Sequence, residues 1–156
     1  MESPTKDEVS AIYHAFSHGD IQSVVERMSE DVDWNCPGGA PFSGIRRGRD
    51  QVREFFDILL RTTRIDQFDV DDIIGERDHV VVIGRERGTV IETGQHFEQR
   101  FAHLFTFRGG KVAAVHLFDD SHAVASAFGE STREREALTG PLGVTRPAFS
   151  GQGDLE

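Results

Sequence analysis

His103 is the residue with the clearest chemical potential. Strict alternation over residues 97–107 places Phe97, Phe101, His103, Phe105 and Phe107 on one face, with Glu98, Arg100, Ala102 and Thr106 on the other. An imidazole in a stripe of phenylalanines is a titratable group in apolar surroundings, and a neutral histidine beside a pocket can act as general base or hydrogen-bond donor. The competing reading is a buried histidine satisfied by one backbone or water partner. Asp119 and Asp120 end the next apolar run, and adjacent strand residues point to opposite faces, so only one of these carboxylates can enter a shared interior. The alternative is that the pair, with Ser121, caps the following turn in water.

Other constellations carry less. Cys36 is the single cysteine, which excludes an internal disulfide and a cysteine-cluster metal site. It shares a strand face with Val32 and Trp34, has no histidine near it in sequence, and reads as a small buried hydrophobe. His14 and His18 have the i, i+4 spacing that can hold zinc, but they lie on the polar flank of their helix. Asp119, Asp120 and His122 lack a fourth ligand. Asp66, Asp69, Asp71 and Asp72 lack the glycine and final glutamate of a calcium loop. Gly38-Gly39 lacks the lysine and hydroxyl residue of a phosphate-binding loop. The expectation is therefore no metal and no cofactor.

These residues need elements to hold them. Val9, Ile12, Tyr13 and Phe16 recur at helical spacing, with Thr5 and Glu8 as a capping box; a second short helix carries Val24, Val25 and Met28. Period two takes over at Val32, Trp34 and Cys36 and stops at Pro37-Gly38-Gly39, from which a Gly- and Pro-rich loop runs to Gly48. Asp50 then caps a third helix with Val52, Phe55, Phe56, Leu59 and Leu60 on one stripe. Residues 65–118 read as strands, with turns at Gly75–His79, Thr93–Gln95 and Arg108–Gly110, and residues 122–128 as a short helical turn. Helices followed by a strand meander predict an α+β domain over residues 1–128; residues 129–156 lose periodicity and form an irregular tail.

Composition sets outer bounds. The 156 residues suit one domain, and no apolar stretch approaches the roughly 20 residues of a membrane span. The first seven residues are too polar for a secretory leader, so the expected location is cytoplasmic. A net charge of -10 repels phosphate and argues against nucleic acid or an anionic membrane as partner. Twelve phenylalanines against one tryptophan and one tyrosine point to a thick apolar core or an apolar ligand cavity.

Four strings, AFSHGDIQSVVERMSEDVDW, FSGIRRGRDQVREFFDILL, RFAHLFTFRGGKV and HLFDD, resemble in order the nuclear transport factor 2-like superfamily, in its SnoaL-like polyketide cyclase and ketosteroid isomerase branch. The resemblance spans Val9 to Phe128. It implies a cone-shaped, curved antiparallel sheet packed with three helices (a cystatin-like α+β barrel) around a hydrophobic cavity. It also implies that His103 and an aspartate of the terminal pair share acid–base work; alignment from Gly110-Lys111 favours Asp120, whereas a bulge would transfer the role to Asp119. The isomerase's general-base aspartate corresponds to Cys36 and its oxyanion tyrosine to Ile12, so steroid isomerisation is not expected. The epoxide hydrolase pair corresponds to Arg85 and Arg87, without its carboxylate.

The resulting expectation is a cofactor-independent cyclase, isomerase, dehydratase or hydrolase acting on a small apolar oxygenated or cyclic molecule. Trp34, Cys36, Phe55, Phe101, Phe105 and Phe118 would line its pocket. The alternative is a non-catalytic binding or dimerisation module of the same fold. Leu104 and the apolar run Val112–Leu117 on the outer sheet face predict a homodimer.

Overall fold

Apolar side chains at helical spacing and then at alternating spacing give two kinds of sticky face, and the chain folds by laying one on the other. The structure is a computed structural model, and it describes residues 4–129. Helices α1 (Pro4–Ser17) and α2 (Ile21–Glu26) lead into strands β1 (Met28–Cys36) and β2 (Gly44–Arg47), followed by α3 (Arg49–Thr62). Strands β3 (Thr63–Glu76), β4 (His79–Val90), β5 (His96–Arg108) and β6 (Lys111–Asp119) then form a meander, and α4 (Ser121–Phe128) closes it. The irregular tail expected over 129–156 lies, Gly129 apart, outside the described residues.

The six strands form one curved, open sheet in the order β2-β1-β6-β5-β4-β3, with β2 and β3 as its edges. Every pairing is antiparallel except β1 with β6, which is parallel. A wholly antiparallel sheet was expected; β1 and β6 are remote in sequence, so no hairpin dictates their relative direction. Strand β2 also departs from expectation, lying inside what reads as a loop. Four residues, Gly44-Ile45-Arg46-Arg47, are too few to show a period, and only pairing with β1 reveals the strand.

Helix α3 begins one residue before Asp50, its N-cap position being Gly48 with no side-chain cap. Asp50 lies in the first turn instead, where a carboxylate still favours the helix N-terminus, and pairs with Arg53 at 2.7 Å. The helices bury Val9, Ile12, Val52, Phe55 and Phe56 against the concave sheet face, which contributes Val80, Val82, Phe101 and Phe105. At Gly84, opposite Phe101 in the ladder, a Cβ would collide with the Phe101 ring and with the Asp69 carbonyl. The missing side chain lets that ring lie flat across β4.

Register in β5 and β6 decides what faces the interior. Thr106 pairs with Ala114 but Phe107 with Val112, so Ala113 is an extra residue, and Val112 and Ala113 are both buried. Beyond that bulge the inward positions of β6 are Val115, Leu117 and Asp119. Phe118 points outward and is 52% exposed. Its expected place in the pocket is therefore corrected.

Candidate functional site

Between the helices and the concave sheet face lies a cavity of about 90 Å³. Its walls are mainly apolar, with Phe16, Trp34, Phe55, Phe56, Phe105 and Leu117 among them. Into these walls the fold sets a short polar chain. Strand β5 delivers His103, whose inward position follows from the alternation of its neighbours. Strand β6 delivers Asp119, with Oδ1 at 3.2 Å from His103 Nε2. Helix α1 delivers Tyr13, its Oη at 2.6 Å from His103 Nδ1. The arrangement in which every proton has an acceptor has Tyr13 O–H donating to Nδ1 and Nε2–H donating to Oδ1. The His103 and Asp119 side chains are only 12% and 15% exposed.

Aromatic packing fixes the imidazole. The Phe101 ring stacks on it at 4.1 Å between centroids and 14° between planes, and Phe68 stacks on Phe101 at 5.0 Å. Phe101 is thus a support behind the histidine and does not line the cavity, a second correction. Burial, reinforced by the Asp119 carboxylate, pushes the Tyr13 hydroxyl well above its ordinary value, so it is a proton donor throughout the neutral range.

A second polar pair sits across the β4–β5 ladder, where Glu86 faces Gln99. Gln99 Nε2 donates to Glu86 Oε1 at 2.9 Å, and Gln99 Oε1 accepts from the Asp120 backbone N–H at 3.0 Å. Burial pushes the Glu86 carboxyl up to about 7, with Asp119 adding to the rise and the Gln99 bond opposing it. Cys36 is on the wall too; burial first, then Asp119 and Glu86, push its thiol up to about 12 against the opposing Arg46. A thiol held that far above neutrality is no nucleophile.

Asp120, preferred over Asp119 by alignment, does not enter the cavity. It is the N-cap of α4, accepting from the Ala123 N–H at 3.1 Å. The cause is the bulge at Ala113, which reverses the parity of everything after it. Trp34, Cys36, Phe55 and Phe105 do line the cavity. Tyr13, Glu86 and Gln99 were not anticipated there. Gln99 shares the parity of His103 and was readable on that ground. Tyr13 belongs to the α1 stripe, but the family's tyrosine was matched to Ile12; both residues reach the cavity and only Tyr13 brings a hydroxyl. Arg85 and Arg87 face outward, Arg85 paired with Asp71 at 3.1 Å. His14 and His18 are exposed, their rings 4.4 Å apart.

Residues 9–115 match the SnoaL-like domain family. An uncharacterized protein of Mycobacterium tuberculosis is 26% identical over 124 residues, which cover 78% of this chain and 93% of that protein. Among solved structures, an NTF2-like protein of Burkholderia thailandensis E264 is 28% identical with a TM-score of 0.75, covering 82% of this chain and 98% of the other. TerC, co-crystallized with polyporic acid, is 26% identical with a TM-score of 0.71, over 81% of this chain and 99% of TerC.

Proposed function

The chain belongs to the SnoaL-like domain family, and on that footing we propose that its cavity takes a small, largely apolar, oxygenated molecule and performs proton-transfer chemistry on it without a cofactor. The observation that carries this is the Tyr13–His103–Asp119 chain, with contacts of 2.6 and 3.2 Å, set in an apolar wall. Asp119 spends Oδ1 on His103, and among the described residues Oδ2 has no hydrogen-bond partner. That oxygen is the base. It takes a proton from an activated C–H or O–H of the bound molecule and becomes a carboxylic acid. Returning the same proton to a different atom of the molecule completes an isomerisation or a ring closure and restores the site. His103 is the positioning residue, orienting the carboxylate, and Tyr13 fixes the tautomer that lets it do so. TerC supports the reading as a relative of the same fold crystallized with an organic ligand.

The assay that tests this needs no known substrate. The protein should accelerate deuterium uptake from D2O at the carbon next to the carbonyl of 1-indanone, followed by NMR. Asp119→Asn should lower that acceleration by about 100-fold or more, the size of a general-base contribution. A ligand that perturbs the indole resonance of Trp34, yet exchanges no faster than with D119N, would instead make this a binding module.

Dimerisation belongs to the same proposal. Ile45 and Phe118 are 80% and 52% exposed on the outer sheet face, around half-buried Leu104 and His116. Apolar groups gathered on an open sheet face fit a second copy of the chain.

A further inference from the structure

The Glu86–Gln99 pair borders the cavity on one side and, on the other, an outer groove lined by Gln67, Asp69, Arg87 and Arg100. It therefore forms part of the partition between the apolar interior and water. Its hydrogen bonds are directional. Gln99 is fixed by the Asp120 backbone N–H at 3.0 Å, so its amide nitrogen points at Glu86, 2.9 Å from Oε1. Among the described residues Glu86 Oε2 has no hydrogen-bond partner. A protonated carboxyl held in this way has its acceptor oxygen satisfied by Gln99 and its O–H left to donate to a ligand or to water. The Tyr13–His103–Asp119 chain does not use it.

We propose that Glu86 is a second polar anchor of the cavity, donating a hydrogen bond from its carboxylic O–H to an uncharged carbonyl oxygen of the ligand. This rests on the reading of the cavity as a small-molecule site and narrows its substrate class to ketones and esters over carboxylates. Among the described residues no lysine or arginine lines the cavity to receive an anion, and Asp119 repels one. The titratable groups around Glu86 are Asp119, His103, Tyr13 and Cys36 on the cavity side, with Asp69, Arg85, Arg87, Glu98, Arg100 and Asp120 around the groove. Of these, Asp119 is the charge that raises Glu86, which ionises at about 7. Above that pH the donor becomes a carboxylate and the anchor is lost.

The test uses the full chain and two non-ionising probes of nearly equal shape, acetophenone and ethylbenzene, with affinity read from the indole N–H resonance of Trp34, the sole tryptophan. If only the neutral carboxyl binds the ketone, acetophenone affinity falls roughly 30-fold between pH 5.5 and 8.5, following the neutral fraction. Ethylbenzene affinity stays flat. In Glu86→Gln, whose amide donates at every pH, acetophenone binds with affinity constant to about two-fold. Should that variant fail to fold, carbonyl-13C acetophenone on the wild type gives the same answer: the bound resonance lies downfield below pH 7 and returns above it. A flat wild-type profile, a pH dependence that survives in E86Q, or a carbonyl signal indifferent to pH would overturn the inference while leaving the cavity as a binding site. Neither probe moving the Trp34 resonance would overturn both readings together.

Discussion

Replacing Glu86 by Gln removes an ionisable group from the cavity wall while preserving its size and an oxygen that can still accept from Gln99, so the variant isolates the energetic consequence of burying an acid. In the folded protein the carboxyl ionises at about 7; its ordinary value is 4.5. Below pH 4 the group is protonated in both folded and unfolded chains and contributes no pH dependence. Between 4.5 and 7 the unfolded chain has released a proton that the folded chain still holds, so raising the pH favours unfolding. Above about 8 both states are ionised and the loss is complete. At about 1.4 kcal/mol per pH unit, the interval comes to about 3 kcal/mol.

Urea denaturation of both proteins at half-unit steps from pH 4 to 8.5 provides the assay, and the difference between them cancels the other titrating groups. The stability of E86Q relative to wild type should rise by about 3 kcal/mol from pH 4 to pH 8, with its steepest part between 5 and 7. Because the Asp119 carboxylate contributes to the shift, the rise should be smaller when both proteins carry Asp119→Asn. A difference constant to within about 0.5 kcal/mol across the range would refute the burial of Glu86 and, with it, the β4–β5 geometry of the cavity wall.

Tyr13→Phe leaves His103 Nδ1 without its donor in a half-buried setting, and should cost about 1–2 kcal/mol in urea unfolding; an unchanged midpoint would remove Tyr13 from the chain. Cys36, with its thiol pushed from 9.0 to about 12, should react with a disulfide reagent at pH 8 roughly 1,000-fold more slowly than in the urea-unfolded chain, a rate easily followed because it is the single cysteine. Wild-type protein should run as a dimer in light scattering at micromolar concentration and Ile45→Asp with Phe118→Asp as a monomer; a monomeric wild type would reject the outer sheet face as an interface.

How far the sequence reaches depends on whether a residue's neighbours are local. The α+β order and the strand meander were legible because half-buried strands alternate and amphipathic helices recur at three and four residues, both properties of short windows, while the curvature of the sheet came from the family resemblance. His103 was legible for the same reason. The choice of Asp119 over Asp120 was not, because it depends on the parity of β6 after the bulge at Ala113, and Val112-Ala113-Ala114-Val115 is apolar throughout and carries no mark of where the extra residue falls. One slip exchanges Asp120 and Phe118 for Asp119 and Leu117 in a single step. Glu86 was hidden differently: between Arg85 and Arg87 it reads as part of a solvated charge run. It shares the parity of the buried Val80 and Val82 on β4, and the cross-strand pairing with Gln99, thirteen residues on, gives it an interior partner.

Burial, and after it one charge, organise the interior chemistry. Asp119 acts on Tyr13, Cys36 and Glu86 alike, and each is displaced upward, so the carboxylate is surrounded by a phenol, a thiol and a carboxyl that keep or share their protons near neutrality. In water such groups would be indifferent to one another at these separations; in a wall of phenylalanines the field is poorly screened and burial alone already favours the neutral forms. A cavity of this kind concentrates proton donors around a single base. On the proposed reading that this base removes a proton from a bound ketone, negative charge develops on the carbonyl oxygen, where a donor stabilises it more than it stabilises the ground state. Tyr13 is committed to His103 and Cys36 is a weak donor; of the donors that remain, the unpartnered Trp34 indole N–H is fixed at every pH, and Glu86 is the one whose donation is switched by titration. On that reading its ionisation at about 7 sets the upper pH limit of the chemistry, and the pH at which E86Q and wild type diverge in stability should be the pH at which they diverge in deuterium exchange.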